Sequence, residues 1–206
     1  MNIKNFWNKA NKLIPGGNSF LSKNPSRFSS NKWPTYFSKS NGCIVWDLNN
    51  KKYYDFSLMG VGTNILGYNN KKVDSAVTQV IQKGNMTTLN CTEEVEFADL
   101  ILKIHPWAQM AKFARTGAEA DAIALRLARA YNKKNKTIIC GYHGWQDWYL
   151  SAKFLKSNHM DTHLFPDLKI EGVPKILKGN TYSVIYNDID FLKRIIKKDN
   201  YISAII

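Results

Sequence analysis

From residue 110 onward the chain alternates short apolar runs with stretches of helical periodicity, and few folds accept that order. Strands are predicted near 110–115, 137–141 and 182–186, and helices over 118–131 and 188–197, the second capped by Asn187 or Asp188. Strands joined in succession by helices belong to an α/β fold with a largely parallel sheet and crossover connections. Ser203, Ala204, Ile205 and Ile206 read as one more buried strand, and the sequence stops on it. A domain is not expected to end on the first residues of a core strand. The expectation is therefore a truncated sheet, the N-terminal fragment of a longer protein.

The part before residue 110 is built differently. Ile3, Phe6, Trp7, Ala10, Leu13 and Ile14 stand at helical spacing, and Pro15, Gly16, Gly17 and Asn18 end that N-terminal helix. Its Asn-rich polar face favours docking on its own protein or on a second subunit over lying on a membrane surface. Tyr36-Phe37, Ile44-Val45-Trp46 and Tyr53-Tyr54 read as strands of a small antiparallel meander, with Asn41-Gly42 and Asn49-Asn50 as turns. Gly60, Gly62 and Gly67 follow, expected to make tight turns and a close backbone approach to a ligand or subunit. Helices are predicted over 72–83, closed by Gly84, and over 93–104, with Thr92 as N-cap. The expected division is 1–84, the N-terminal helix and a small-domain segment, and 85–206, the first part of a larger domain.

Composition narrows the function classes. Basic residues number 29 against 16 acidic ones, a net charge of +13, but only five are Arg and the remaining 24 are Lys. Arg is preferred for bidentate phosphate and base contacts, and no basic block interleaved with aromatics occurs, so no nucleic-acid partner is expected. The same field attracts an anionic substrate. Cys43, Cys91 and Cys140 are odd in number and lack C-x-x-C spacing, which points to neither a disulfide framework nor a zinc site and fits a reducing cytoplasm. No apolar stretch approaches the length of a membrane span, so no membrane partner is expected. His159 and His163 are spaced as a metal pair would be. No third ligand accompanies them and Pro166 is close, so no metal site is expected.

Lys112 to Trp145 holds the chemistry. A short apolar run enters a tight Thr116-Gly117-Ala118 turn that opens a helix, and the next strand ends in Tyr142-His143-Gly144. Backbone N–H groups at a helix start bind an anion, and an aromatic can cover the flat ring attached to it. Read alone, the turn is an ordinary strand-to-helix connection with a capping Thr, Tyr142 a core aromatic and His143 a satisfied polar group. Both features fall at the carboxyl ends of adjacent parallel strands, where open α/β sheets bind ligands, so a phosphorylated ring is the expected ligand. Gly60, Gly62 and Gly67 do not complete G-x-G-x-x-G, because position 65 is Ile, and Tyr68 stands where a P-loop needs Lys.

Ile14-Pro15-Gly16-Gly17, Gly42 to Asp47 with Tyr54-Asp55, Ile65-Leu66-Gly67-Tyr68, Thr92-Glu93, residues 113–129, Gly141-Tyr142-His143-Gly144, Gly172-Val173-Pro174-Lys175 and Tyr186-Asn187-Asp188 together resemble the class III, fold type I aminotransferases that use pyridoxal phosphate. The branch they look most like is glutamate-1-semialdehyde aminomutase and its aminotransferase-like relatives. The resemblance covers nearly the whole chain and implies that 85–206 is the first part of the cofactor-binding large domain. It implies that Thr116, Gly117 and Ala118 hold the phosphate of pyridoxal 5'-phosphate, that Tyr142 stacks on the pyridine ring, that His143 lines the site and that Ser57 lies near the substrate.

An amino group would then pass through the cofactor's pyridoxamine form between small amino and keto substrates, in a cytoplasmic homodimer. Two departures stand out. Ala118 replaces the usual Thr of the phosphate turn, and Trp145 stands where the aminomutases commonly have His, which favours a plain aminotransferase. The Schiff-base lysine and the aspartate that pairs with the pyridine nitrogen are expected beyond Ile206. No catalytic residue is assigned within the chain, which alone is expected to be inactive. Alternatives are a sugar ketone as acceptor, and a non-catalytic fragment or interaction module.

Overall fold

The computed structural model describes residues 3–29, 32–56, 59–155 and 169–206. The chain divides into two compact units, Met1–Asn90 and Cys91–Ile206.

In the first unit, helix α1 (Ile3–Leu13) brings Phe6 edge-on to Tyr36 with ring centres 4.8 Å apart, and Trp7 lies 6.4 Å from the same ring. Part of its apolar face thus docks on its own chain. Strands β1 (Phe37–Asn41), β2 (Ile44–Asp47) and β3 (Lys52–Tyr54) form an antiparallel sheet in that order. Buried Asp47 makes the second turn: Oδ1 accepts from the N–H groups of Asn49 (2.8 Å) and Lys51 (2.9 Å), and Oδ2 from the Tyr53 hydroxyl (3.1 Å). Gly67 does make a close backbone approach, but to this chain's own Gly42. A Cβ at Gly67 would lie 3.2 Å from Gly42 Cα, and Gly42 and Tyr68 exchange two backbone hydrogen bonds. Helix α2 (Lys71–Lys83) is capped by the Asn70 side chain, which accepts from Lys72 and Val73 N–H.

The second unit opens with α3 (Thr92–Ile104). Thr92 is its first helical residue rather than its cap; Cys91 occupies the cap position without a side-chain bond, and Glu93 and Glu94 favour the helix start through the dipole. Residues 110–115, predicted as a strand, form none. No strand among the described residues lies beside them to exchange ladder bonds, and Phe113 is held instead by stacking on Phe97 at 4.8 Å. Then follow α4 (Gly117–Asn132), β4 (Lys136–Ile139), the short α5 (Asp147–Leu150), β5 (Thr181–Ser183), α6 (Ile189–Lys198) and β6 (Ile202–Ile205). The three strands are parallel in the order β5-β4-β6.

Central β4 is buried on both faces, as its run of Thr137, Ile138 and Ile139 demands. Successive side chains point to opposite sides, so Ile139 packs with Tyr149, Leu150, Ala152 and Val173, while Ile138 packs with Val184 and Ile195. β5 stops at Ser183, short of the expected 182–186, where Ile185 and Tyr186 turn outward and Asn187 takes a left-handed φ of 69°. Asp188 then caps α6, its carboxylate accepting from Phe191 N–H at 3.0 Å. No helix among the described residues is long and apolar enough to cross a membrane. His159 and His163 lie outside the described residues.

Asp199 ties the starts of the strands together. Its Oδ2 accepts from Lys136 Nζ at 2.6 Å and from the Tyr182 hydroxyl at 2.7 Å, and its Oδ1 from Tyr201 N–H at 3.0 Å. Burial alone would raise this carboxyl, but the bonds from Lys136 and Tyr182 outweigh that and hold it down at about 2, against an ordinary 3.8. The folded value lies below the unfolded one, so the contribution is whole above the ordinary value and is lost as the pH falls toward 2. Asp199→Asn is expected to cost about 2 kcal/mol at neutral pH and to flatten the acid loss of stability, both read from urea midpoints. Unchanged midpoints would show that the cluster adds no net stability.

Candidate functional site

The start of α4 is capped from both sides. Thr116, in extended conformation, accepts the Glu119 N–H on its Oγ1 at 3.2 Å. Glu119 reaches back to the Arg115 N–H at 2.9 Å and pairs with the Arg115 guanidinium at 3.0 Å. This is a capping box shifted by one residue, and the spacing Thr-x-x-Glu is its signal. The Arg115 side chain is the main cause of the Glu119 carboxyl sitting below its ordinary range, and the pairing sets a positive partner against its charge. With Glu119 N–H capped, Gly117 and Ala118 keep N–H groups that have no acceptor within the helix. A Cβ on Gly117 would meet nothing within 4 Å, so the approach to these donors is open. The arrangement can hold an anion.

β4 carries the second part. Beyond Ile139 the chain leaves the sheet through Gly141, and Tyr142 is about half-exposed, 53 %. Tyr149, fully buried, props it: their rings meet edge-on at 6.0 Å, and the Tyr149 hydroxyl donates to Gly141 O at 3.2 Å. Burial pushes the Tyr149 phenol up, so it stays a donor. Tyr142 therefore has an edge fixed by protein while much of its surface stays accessible.

The two parts meet at Gly144, whose φ of 106° only glycine adopts readily. A Cβ here would lie 2.5 Å from Ala118 Cβ. Strand end and helix start are thus in direct contact, and the structure brings Thr116, Gly117, Ala118, Tyr142 and His143 into one neighbourhood. His143 is mostly buried, with Nδ1 3.4 Å from Asp121 Oδ2 on α4. Ser57 lies outside the described residues. A groove of about 640 Å³ runs along a neighbouring face of α4, lined by Lys112, Phe113, Arg115 and Arg126 among others, and includes none of the five. Gly144 belongs to the Tyr142-His143-Gly144 strand end read from the sequence, whereas Asp121 and Tyr149 are parts of the site that the sequence reading misses, and neither carries a local signal.

A family model described as aminotransferase class-III matches residues 27–206. The chain belongs to the class III aminotransferase family. This class III chain is 32 % identical to a 3-aminobutyryl-CoA aminotransferase of Cloacimonas acidaminovorans, over 97 % of its own length and 44 % of the relative's. It is 33 % identical to a glutamate-1-semialdehyde 2,1-aminomutase of Methanococcoides burtonii, over 95 % of the chain and 44 % of that protein. Its fold superimposes on the FumI protein of Sphingopyxis sp. MTA144 with a TM-score of 0.81 at 24 % identity, covering 98 % of the chain and 45 % of the other. The class III chain thus spans less than half the length of these relatives.

Two glycines of the site are expected to respond oppositely. Gly144→Ala places a methyl against Ala118 and strains the backbone, and is expected to cost about 2 kcal/mol or more. Gly117→Ala, in a helical conformation with open space, is expected to change stability by less than about 1 kcal/mol, in the favourable direction. Thermal melts of both variants check this. Equal losses would show that Gly144 and Ala118 are not in contact.

Proposed function

We propose that the second unit supplies the phosphate and ring half of a pyridoxal-phosphate site in an aminotransferase or aminomutase of the glutamate-1-semialdehyde type. The observation that carries this reading is the meeting of the α4 donors with Tyr142 through the Gly144–Ala118 contact. A flat ring bearing a phosphate fits: an anion on the Gly117 and Ala118 N–H groups, and an aromatic beside it whose position is fixed by Tyr149. Ala118 keeps the backbone donor although it lacks the hydroxyl that Thr would bring. When bound, pyridoxal phosphate would supply an aldehyde that takes up an amino group and a ring that accepts the electron pair left on the carbon that gives up its proton.

In this reading Gly117 and Ala118 hold the phosphate, Thr116 keeps their turn in shape, and Tyr142 covers the ring and excludes water from one face. Ser57 is assigned to the substrate side. The reactive lysine and the aspartate for the pyridine nitrogen are assigned outside residues 1–206, so amino transfer belongs to the whole protein, a cytoplasmic homodimer acting on a small amino or keto substrate. The apolar residues that α3 leaves exposed, Val95, Leu100 and Ile104, offer surface for such burial.

Pyridoxal phosphate is expected to quench the fluorescence of Trp145 and Trp148, which flank the site in sequence, on binding to the chain. Gly117→Val, which fills the space over the donors, is expected to weaken that binding tenfold or more, about 1.4 kcal/mol. Equal affinity would make the turn structural only. Borohydride reduction with the cofactor present is expected to label no single lysine stoichiometrically. A specific adduct would contradict the assignment of the reactive lysine outside these residues.

A further inference from the structure

Asp121 sits on α4 one turn beyond Ala118, and the positions i and i+3 share a helix face. The loop after β4 lies along that face. At one point Gly144 presses on Ala118, and at the next His143 Nδ1 stands 3.4 Å from the Asp121 carboxylate. Both side chains are largely withdrawn from water, His143 being 15 % and Asp121 28 % exposed, so water competes less for the contact between them than at the surface. His143 Nε2 is buried and has no hydrogen-bond partner among the described residues. Among the described residues, the Asp121 carboxylate is a polar group placed to orient this imidazole. It favours the form with hydrogen on Nδ1.

His143 is also coupled to the platform. The Tyr149 ring meets Tyr142 edge-on at 6.0 Å and His143 edge-on at 5.9 Å, so one buried ring braces both neighbours. A turn of His143 away from Asp121 moves the residue next to Tyr142 and disturbs the ring that props it.

We propose that Asp121 is a positioning residue: by holding His143 through Nδ1 it fixes the height and tilt of Tyr142 over the Thr116–Ala118 anion cradle. Its effect on cofactor rests on the pyridoxal-phosphate reading, whereas its hold on His143 does not. The ligand served is the planar ring rather than the phosphate, because Asp121 acts on the platform and contributes no donor to the cradle.

The test separates the two. Long-range ¹H–¹⁵N spectra of the cofactor-free chain read the imidazole tautomer directly. His143 is expected to carry hydrogen on Nδ1 in the wild type, to lose that preference in Asp121→Ala, and to keep it in part in Asp121→Asn, whose amide oxygen still accepts. Identical His143 spectra in all three proteins would overturn the proposal. For the ring, Asp121→Ala is expected to weaken pyridoxal phosphate binding about tenfold, and to have no further effect when added to Tyr142→Ala. Additive losses in the double variant would overturn the link through Tyr142. Should the wild type fail to bind pyridoxal phosphate while the His143 tautomer still follows Asp121, the cofactor reading fails and the clamp on His143 stands. Melting curves of all variants without cofactor confirm that folded proteins are compared.

Discussion

Burial of β4 on both faces is the constraint on which the second unit depends. Thr137, Ile138 and Ile139 are all but sealed from solvent, and the strand receives β5 on one side and β6 on the other. With neither face nor edge free, β4 cannot slip in register without exposing apolar side chains on one face or the other. Its carboxyl end is therefore delivered to one place. Gly141, Tyr142, His143 and Gly144 emerge there, and the absence of a side chain at Gly144 lets them rest on the first turn of α4. The site is a consequence of strand burial followed by one close backbone approach.

The amino end of the same strand is secured by different physics. Lys136, Tyr182 and the Asp199 carboxylate form a hydrogen-bonded cluster where β4, β5 and β6 begin. Electrostatics fixes one end of the sheet and apolar packing its middle, leaving the carboxyl end to be shaped by small residues and aromatics. That division matches the rule for open α/β sheets, in which stability sits in the strands and chemistry at their carboxyl ends. Of the acidic residues near the site, Glu119 does not oppose an anion, since Arg115 sets a positive charge beside its carboxylate.

What the sequence made legible follows from short-range signals. The apolar run of β4, the helical period of α4 and the Thr116 turn are local patterns; α4 falls within one residue of expectation at each end, and β4 starts one residue early and ends two short. Family membership was legible because many short motifs occur in order. Residues 110–115 misled because a short apolar run leading into a tight turn reads as a strand, whereas Phe113 packs against Phe97 without a neighbouring strand. Thr92 misled by one position, since a capping residue and a first helical residue look alike without the backbone angles. The pairing of Asp121 with His143, the prop of Tyr149 under Tyr142 and the approach of Gly67 to Gly42 are contacts set by tertiary packing, and no local pattern announces them. Ser57 lies outside the described residues and stays an assignment from resemblance.

Backbone amide spectra of the isotope-labelled chain, recorded while pyridoxal phosphate is added, test the central claim most directly. The Gly117 and Ala118 N–H signals are expected to shift downfield together as they take up the phosphate, with the Tyr142 ring protons moving upfield under the pyridine. Saturation with those three residues unmoved, and shifts confined to surface lysines, would contradict a phosphate cradle and ring platform at the meeting of α4 and β4.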